Sequence, residues 1–179
     1  MTSPAASTAT TVYTTLGSPL GELLLVGEES STAPGGTVLT SLSLPQQRGA
    51  ATVQPHWRHA PCAFAEAVRR LHAYFAGELF SFELAFRTSG TEFQERVWQA
   101  LDAIPYGTTT TYGRLAEDLG VSRADVRALG AAIGANPLLI VRPCHRVIGA
   151  DGSMRGYAAG VERKTALLTH EGTLQPTLI

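Results

Sequence analysis

The stretch "TYGRLAEDLGVSRADVRALGAAIGANP", residues 111–137, contains two helical patterns joined by a short turn at Gly120 and Val121. This is the outline of a helix-turn-helix. Helical pairs of this shape also occur without any DNA role, so the pattern alone leaves the partner open. On its N-terminal side, "TEFQERVWQALDAI" (91–104) predicts a helix. Thr91 is its N-cap, Glu92 sits in the first turn, and Phe93, Val97, Trp98, Leu101 and Ile104 form the buried face. Pro105-Tyr106-Gly107 ends it. On the C-terminal side, "VERKTALLTHEG" (161–172) predicts a last helix that buries Val161, Ala166, Leu167 and Leu168 and carries Glu171 in its final turn. Residues 89–179 therefore read as one mainly helical domain.

Further out, the pattern changes to strands. "TVYTTLGSPLGELLLVGE" (11–28) reads as a hairpin around a Gly-Ser-Pro-Leu-Gly turn, with Leu23 to Val26 as a buried run. "TVLTSLSL" (37–44) adds a third strand, and "FSFELAF" (80–86) alternates as a fourth. Between them, Phe64, Val68, Leu71 and Phe75 recur at helical spacing over 63–76, with Gly77 placed to cap the helix. Residues 11–88 thus form a small α/β domain, an antiparallel sheet plus a helix. The Ser/Thr/Ala/Pro-rich residues 1–10 read as a disordered leader.

The chain has 179 residues, 44% of them hydrophobic, and a formal charge of −1, enough for an ordinary core and too balanced to mark a basic nucleic-acid module. Any DNA contact must come from a local patch. No apolar run approaches the roughly 20 residues that span a bilayer, and "MTSPAASTAT" lacks the parts of a signal peptide. A cytoplasmic protein without a membrane partner is expected. Cys62 and Cys144 are then free thiols rather than a disulfide.

Most cysteines are buried and inert, but the surroundings of Cys144 in "VRPCHRVIGADGSMRGY" (141–157) are unusual. Pro143 holds Arg142 extended, His145 is adjacent, and Arg142 and Arg146 are placed to lower a thiol pKa. A thiol, a base and an acidic orienter, which Glu171 can supply, are the parts of an activated nucleophile. His56, His59 and Cys62 also recur at three-residue spacing, but Pro61 interrupts any helix that would align them and a zinc site needs about four ligands. They read as a loop, and no metal is expected.

Taken together, "GTEFQERVWQALDAIPYGTTTTYGRLA", "GANP", "PCHRVIG", "GYAAGVERKTALL" and "HEG" resemble the O6-alkylguanine-DNA alkyltransferases over essentially all of residues 90–172, with weaker likeness in "SPLGELLLV" and "HAYFAGE". The resemblance implies a ribonuclease H-like N-terminal domain and a C-terminal helix-turn-helix domain that binds double-stranded DNA through the minor groove. It implies single-turnover transfer of the alkyl group from O6-alkylguanine, and from O4-alkylthymine, to Cys144, with no cofactor, by a monomer able to cluster on DNA. In this likeness His145 takes the thiol proton through a water and Glu171 orients it. Tyr112 contacts the flipped guanine, Arg127 fills the vacated place in the duplex, and Asn136 braces the turn before the active-site loop. Tyr157 and Ala158 form the pocket lid, Val147 offers its carbonyl to the exocyclic amine, and Arg146 joins the substrate- and DNA-binding set.

The sequence departs from the family in places. Arg142 replaces an aliphatic residue before Pro-Cys, which would lower the thiol pKa further or reach a phosphate. Ala158 and Ala159 replace smaller or polar lid residues, which bears on bulky alkyl groups, and the turn before Arg127 is one residue longer. Two other readings stand beside transfer. One is a non-catalytic lesion sensor or DNA-binding regulator, which Cys144 argues against. The other is a thiol hydrolase, for which an evident oxyanion-hole glycine is missing.

Overall fold

A computed structural model describes residues 9–175. Residues 1–8 of the expected leader lie outside the described residues. Strands β1 (Thr11–Ser18), β2 (Gly21–Glu29) and β3 (Thr37–Ser43) form an antiparallel meander, and β4 (Arg58–His59) pairs in parallel with β1, giving the order β3-β2-β1-β4. The sheet is therefore mixed rather than wholly antiparallel, because the chain returns to the β1 edge from the far side of the sheet. The β1–β2 turn is tight. Ser18 Oγ donates to the Gly21 carbonyl at 2.6 Å, and Gly21 sits at φ 115°, where a side chain would be strained. At the β2–β3 irregularity, a Cβ on Gly27 would lie 2.7 Å from Thr37 Cγ2, so only glycine lets the strands approach there.

Helix α1 (Ala65–Phe75) follows a 3₁₀ turn at Pro61–Phe64 and ends at Gly77, φ 76°. Its most deeply buried positions are Leu71 and Tyr74, while Val68 and Phe75 are only partly covered, so the inward face is rotated from the one expected. Residues 80–86 do not form the expected strand. They touch β3 at one parallel bridge, Leu39 with Phe86, and in that register residues 80–83 fall before Thr37, beside the 3₁₀ turn Pro34–Gly36, where there is no strand to pair with. Further along the same edge Leu138 bridges Leu42. The second bridge joins the two halves of the chain: Leu42 N–H donates to Pro137 O at 2.9 Å and Leu139 N–H to Leu42 O at 3.0 Å.

Helix α2 (Glu92–Asp102) is held at its start by a reciprocal capping box between Thr91 and Gln94. Val97, Trp98 and Leu101 turn inward, and Trp98 Nε1 donates to the Ala132 carbonyl of α4 (Val126–Gly134) at 2.8 Å. Helix α3 (Tyr112–Asp118) precedes α4, with Gly120 at φ 65° in the turn. The second helix of this pair starts later than its sequence pattern. Ser122 Oγ donates to Asp125 Oδ2 at 2.6 Å, and residues Arg123–Asp125 form a 3₁₀ turn before α4 begins. Two short strands absent from the sequence reading, β5 (Thr110–Thr111) and β6 (Val147–Ile148), pair in parallel and bring the start of α3 beside residue 147.

Helix α5 (Val161–His170) buries Leu167 and Leu168 as expected, but Val161 and Ala166 face solvent. Lys164 occupies the inward position one turn before Leu168. One continuous apolar core, from Val12 through Leu42, Trp98 and Leu139 to Leu167, spans both halves of the chain. Among the described residues no helix is long and apolar enough to cross a membrane.

Candidate active site

The segment that carries the thiol is fixed before the thiol is reached. Ile140, buried and β-branched, adopts φ 69°, and Val141 N–H donates back to Leu139 O at 2.7 Å, a strained three-residue turn. Asn136 holds this turn from inside. Its Oδ1 accepts from Leu138 N–H at 3.0 Å, while Nδ2 donates to Arg142 O at 3.0 Å and to Cys144 Sγ at 3.2 Å. A 3₁₀ turn then runs over Cys144–Arg146.

Cys144 is buried, and burial pushes its thiol pKa up. The Asn136 hydrogen bond and the charge of Lys164 act in the opposite direction. The Tyr157 hydroxyl faces the thiol without completing a hydrogen bond. His145 is fully buried, and its Nε2 lies 2.8 Å from Glu171 Oε1. Burial lowers the imidazole pKa despite that carboxylate, so the neutral ring is favoured. With Nε2–H assigned as the donor to Glu171, the unpartnered buried Nδ1 is a free acceptor, the nitrogen available to take a proton.

Glu171 follows the last turn of α5 and is enclosed by donors. Tyr74 Oη lies at 2.7 Å, His145 Nε2 at 2.8 Å, and Arg146 Nε and Nη2 at 2.8 and 3.0 Å. Burial alone would raise its pKa, but these hydrogen bonds hold it at about 2. Tyr74 has no counterpart in the sequence reading. Its place on the inward face of α1 was recoverable from helical spacing, but its reach to a residue 97 positions later was not.

Both arginines expected to bear on the thiol or on DNA are engaged elsewhere. Arg146, expected in the DNA-binding set, is buried, and its guanidinium is divided between Glu171 and the Ile104 carbonyl. Arg142 is 3% exposed and makes a bidentate pair with Asp102, at 2.9 and 3.0 Å, between the rings of Phe86 and Trp98. It does not reach outward to a phosphate, and its guanidinium is turned to Asp102 rather than to the thiol. An apolar slot opposite a carboxylate holds the guanidinium better than water at the loop surface would.

The cation that does face the thiol is Lys164. It is completely buried, and its Nζ donates to Val147 O at 2.6 Å and to Arg155 O at 3.0 Å. Burial lowers its pKa to about 8, with the Cys144 charge opposing the shift. Its status as the only lysine in a chain of arginines was the one available sequence clue. Val147 therefore presents a carbonyl that already has one donor.

Pairing of β5 with β6 sets Tyr112 next to this group. Its hydroxyl donates to Arg155 O at 3.0 Å, and its ring lies 5.8 Å from Lys164 Nζ. Tyr112, Tyr157 and Ala158 line an open cleft of about 590 Å³ whose other wall is Val126, Gly130 and Ile133 of α4. The thiol lies beneath the Tyr157 side. Arg127, on the first turn of the same helix, is exposed, with no side-chain hydrogen bond or ion pair among the described residues. Of the expected site residues, Tyr112, Tyr157 and Ala158 line the cleft, Cys144, His145, Glu171, Asn136 and Val147 are buried and do not line it, and Arg127 is on the helix that walls it. Among the described residues no group of three or more His, Cys, Asp or Glu side chains is disposed to hold a metal ion. Of the other cluster, His59 stacks on Tyr13 and Cys62 is exposed.

Comparisons with known proteins place the chain among relatives of one kind. Residues 11–88 match the family model described as "6-O-methylguanine DNA methyltransferase, ribonuclease-like domain", and residues 92–173 match "6-O-methylguanine DNA methyltransferase, DNA binding domain". A methylated-DNA–protein-cysteine methyltransferase of Mycobacterium tuberculosis is 47% identical over 167 residues, covering 92% of this chain and 94% of the relative. One of Methanosarcina acetivorans is 44% identical over 161 residues, covering 90% and 98%. The crystal structure of M. tuberculosis OGT in complex with DNA superposes with a TM-score of 0.77 at 47% identity, covering 89% of this chain and 91% of that one.

Proposed function

The chain belongs to the 6-O-methylguanine DNA methyltransferase family, and on that premise we propose that it repairs DNA by direct reversal, moving the alkyl group of O6-alkylguanine onto Cys144. The observation that carries this reading is the single buried thiol between Asn136 and Lys164, beside a His145–Glu171 pair in which His145 Nδ1 has no hydrogen-bond partner among the described residues.

The chemistry follows from these groups. The lesion sits inside the base stack, so the nucleotide must be extruded, at a cost of a few kcal/mol that is lowest where alkylation has already weakened pairing. Binding through the minor groove by α3 and α4 sets Arg127 at the place the nucleotide leaves. In the cleft the base lies between Tyr112 and the Tyr157–Ala158 wall, and the Val147 carbonyl receives its exocyclic amine.

Nδ1 of neutral His145 takes the Cys144 proton through a water, and Glu171 stabilises the imidazolium that forms. Lys164 holds the thiolate. The sulfur attacks the alkyl carbon, an S–C bond forms and the C–O6 bond breaks. Its electron pair stays on the guanine, where the Ala158 amide donates a hydrogen bond and the Tyr112 hydroxyl turns from the Arg155 carbonyl to donate a second; the proton held by His145 returns through water to neutralise the departing base. The product thioether is inert, so each molecule reacts once. The proposal extends to O4-alkylthymine, whose alkyl carbon is likewise bound to a base oxygen. No step calls for a cofactor or metal, and the reading describes a cytoplasmic protein that acts as a monomer and clusters on DNA.

The test is to incubate the protein with duplex DNA carrying O6-methylguanine and measure intact and peptide masses. One methyl group on the peptide containing Cys144, absent in Cys144→Ser, is the expected result. An unmodified protein that still binds the lesion would instead mark a sensor.

A further inference from the structure

The wall of the cleft from residue 155 to residue 159 hangs between two different anchors. Its first half is tied to the C-terminal domain: the Arg155 carbonyl accepts from Lys164 Nζ at 3.0 Å and from the Tyr112 hydroxyl at 3.0 Å. Its second half is tied to the N-terminal domain. Arg48 N–H, in the loop after β3, donates to the Ala158 carbonyl at 3.1 Å. Arg163, on the first turn of α5, sends Nη1 to Ala159 O at 3.1 Å and to Pro45 O at 3.2 Å, and Nε to Leu20 O at 3.1 Å.

One guanidinium therefore joins the β1–β2 turn, the loop after β3 and the cleft wall. All three of its acceptors are backbone carbonyls, so the contact fixes main-chain position rather than a side-chain rotamer. A planar fork with several fixed donors suits this role, and an ammonium could meet only part of it. Arg163 lines neither the cleft nor the thiol. Its effect on chemistry must pass through Ala158 and Ala159.

Resting on the transfer reading above, we infer that Arg163 is a positioning residue through which the N-terminal domain holds the Tyr157–Ala159 wall against the cleft, limiting the size of alkyl group that Cys144 accepts. A methyl group needs little room beyond the base itself, whereas a benzyl group needs the wall to move back. Releasing the clamp should favour the larger group selectively. A general weakening of the fold would lower both reactions together.

The experiment measures single-turnover transfer from two duplexes, one with O6-methylguanine and one with O6-benzylguanine, using the full-length protein. In Arg163→Ala the ratio of benzyl to methyl rate constants should rise by about fivefold, the scale of discrimination that a small change in pocket fit produces. Arg163→Lys, which keeps one donor, should fall between that variant and the unaltered protein. Arg48→Pro removes the amide that holds Ala158 together with a side chain that lines the cleft, and Arg48→Ala, which keeps the amide, is its control; the difference between the two supplies the same readout if Arg163→Ala does not fold. A ratio that stays constant or falls in variants that still take up methyl overturns the clamp. Unaltered protein that accepts neither group overturns the transfer reading itself.

Discussion

The hydroxyl of Tyr74 on α1 donates to Oε1 of Glu171 at 2.7 Å, so the N-terminal domain reaches the carboxylate that orients His145. Glu171 has a folded pKa of about 2 against 4.5 for the free group, a depressed value. Its contribution to stability is therefore present above pH 4.5 and lost as pH falls toward 2. Tyr74→Phe removes one donor and raises the folded value. The acid-unfolding midpoint should move up, stability at pH 7 should fall by about 1–2 kcal/mol, and methyl transfer should slow by less than about tenfold. Denaturation at several pH values and single-turnover kinetics check this.

Lys164 gives a prediction of opposite sign. Its folded pKa, about 8, lies below the ordinary 10.5, so the fold gains stability as pH rises from 8 to 10.5. Below pH 8 the ammonium is charged and lowers the thiol pKa. Lys164→Met should cut the transfer rate at pH 7 by about tenfold, and the deficit should shrink by pH 9, because Lys164 itself loses its charge above about pH 8 and no longer aids the thiol. A deficit independent of pH would show that the lysine acts only through Val147 and Arg155.

The Arg142–Asp102 pair predicts a change in stability without a change in chemistry. Arg142→Val leaves a carboxylate that is about one-third exposed without its partner and removes two cation–π contacts. Stability should fall by about 1–3 kcal/mol, below the range for fully buried pairs. The pH profile of transfer should match that of the unaltered protein, because the guanidinium faces Asp102 and not the thiol.

Arg127 separates flipping from transfer. It is exposed on α4 and makes no contact with the cleft chemistry. Arg127→Ala should slow repair of O6-methylguanine in duplex DNA by about tenfold or more, since the vacated stack is no longer filled. Reaction with O6-benzylguanine as a free base, which needs no flipping, should keep its rate. Equal losses on both substrates would remove Arg127 from the extrusion step.

Much of this molecule is legible in local patterns. The Thr91 N-cap, the Val97–Trp98–Leu101 face and the strand over Leu23–Val26 depend on neighbours a few residues away, and they form as read, with Leu24 alone of that run only partly buried. The "PCHRV" run with Asn136 upstream and Glu171 downstream likewise marks its own neighbourhood. The failures have a common cause. Residues 80–86 alternate like a strand, but their parallel register against Leu39 runs most of them past the start of β3 at Thr37, where no strand is there to pair. Val161 and Ala166 fit an apolar helix face, but the phase of α5 is set by Lys164, Leu167 and Leu168.

The helices, the first three strands and the family are legible along the chain, and so is the setting that singles out Cys144, because these rest on local spacing. Only the tertiary structure decided where each charge points. Arg142 and Arg146 flank Cys144 in sequence yet turn to Asp102 and Glu171, while Lys164, twenty residues on, supplies the cation. Buried ionic groups are placed by whichever partners packing brings within about 3 Å, since an unpaired charge is too costly to leave in the interior. Those partners come from α1, α2 and α5, and no local pattern around residue 144 could name them.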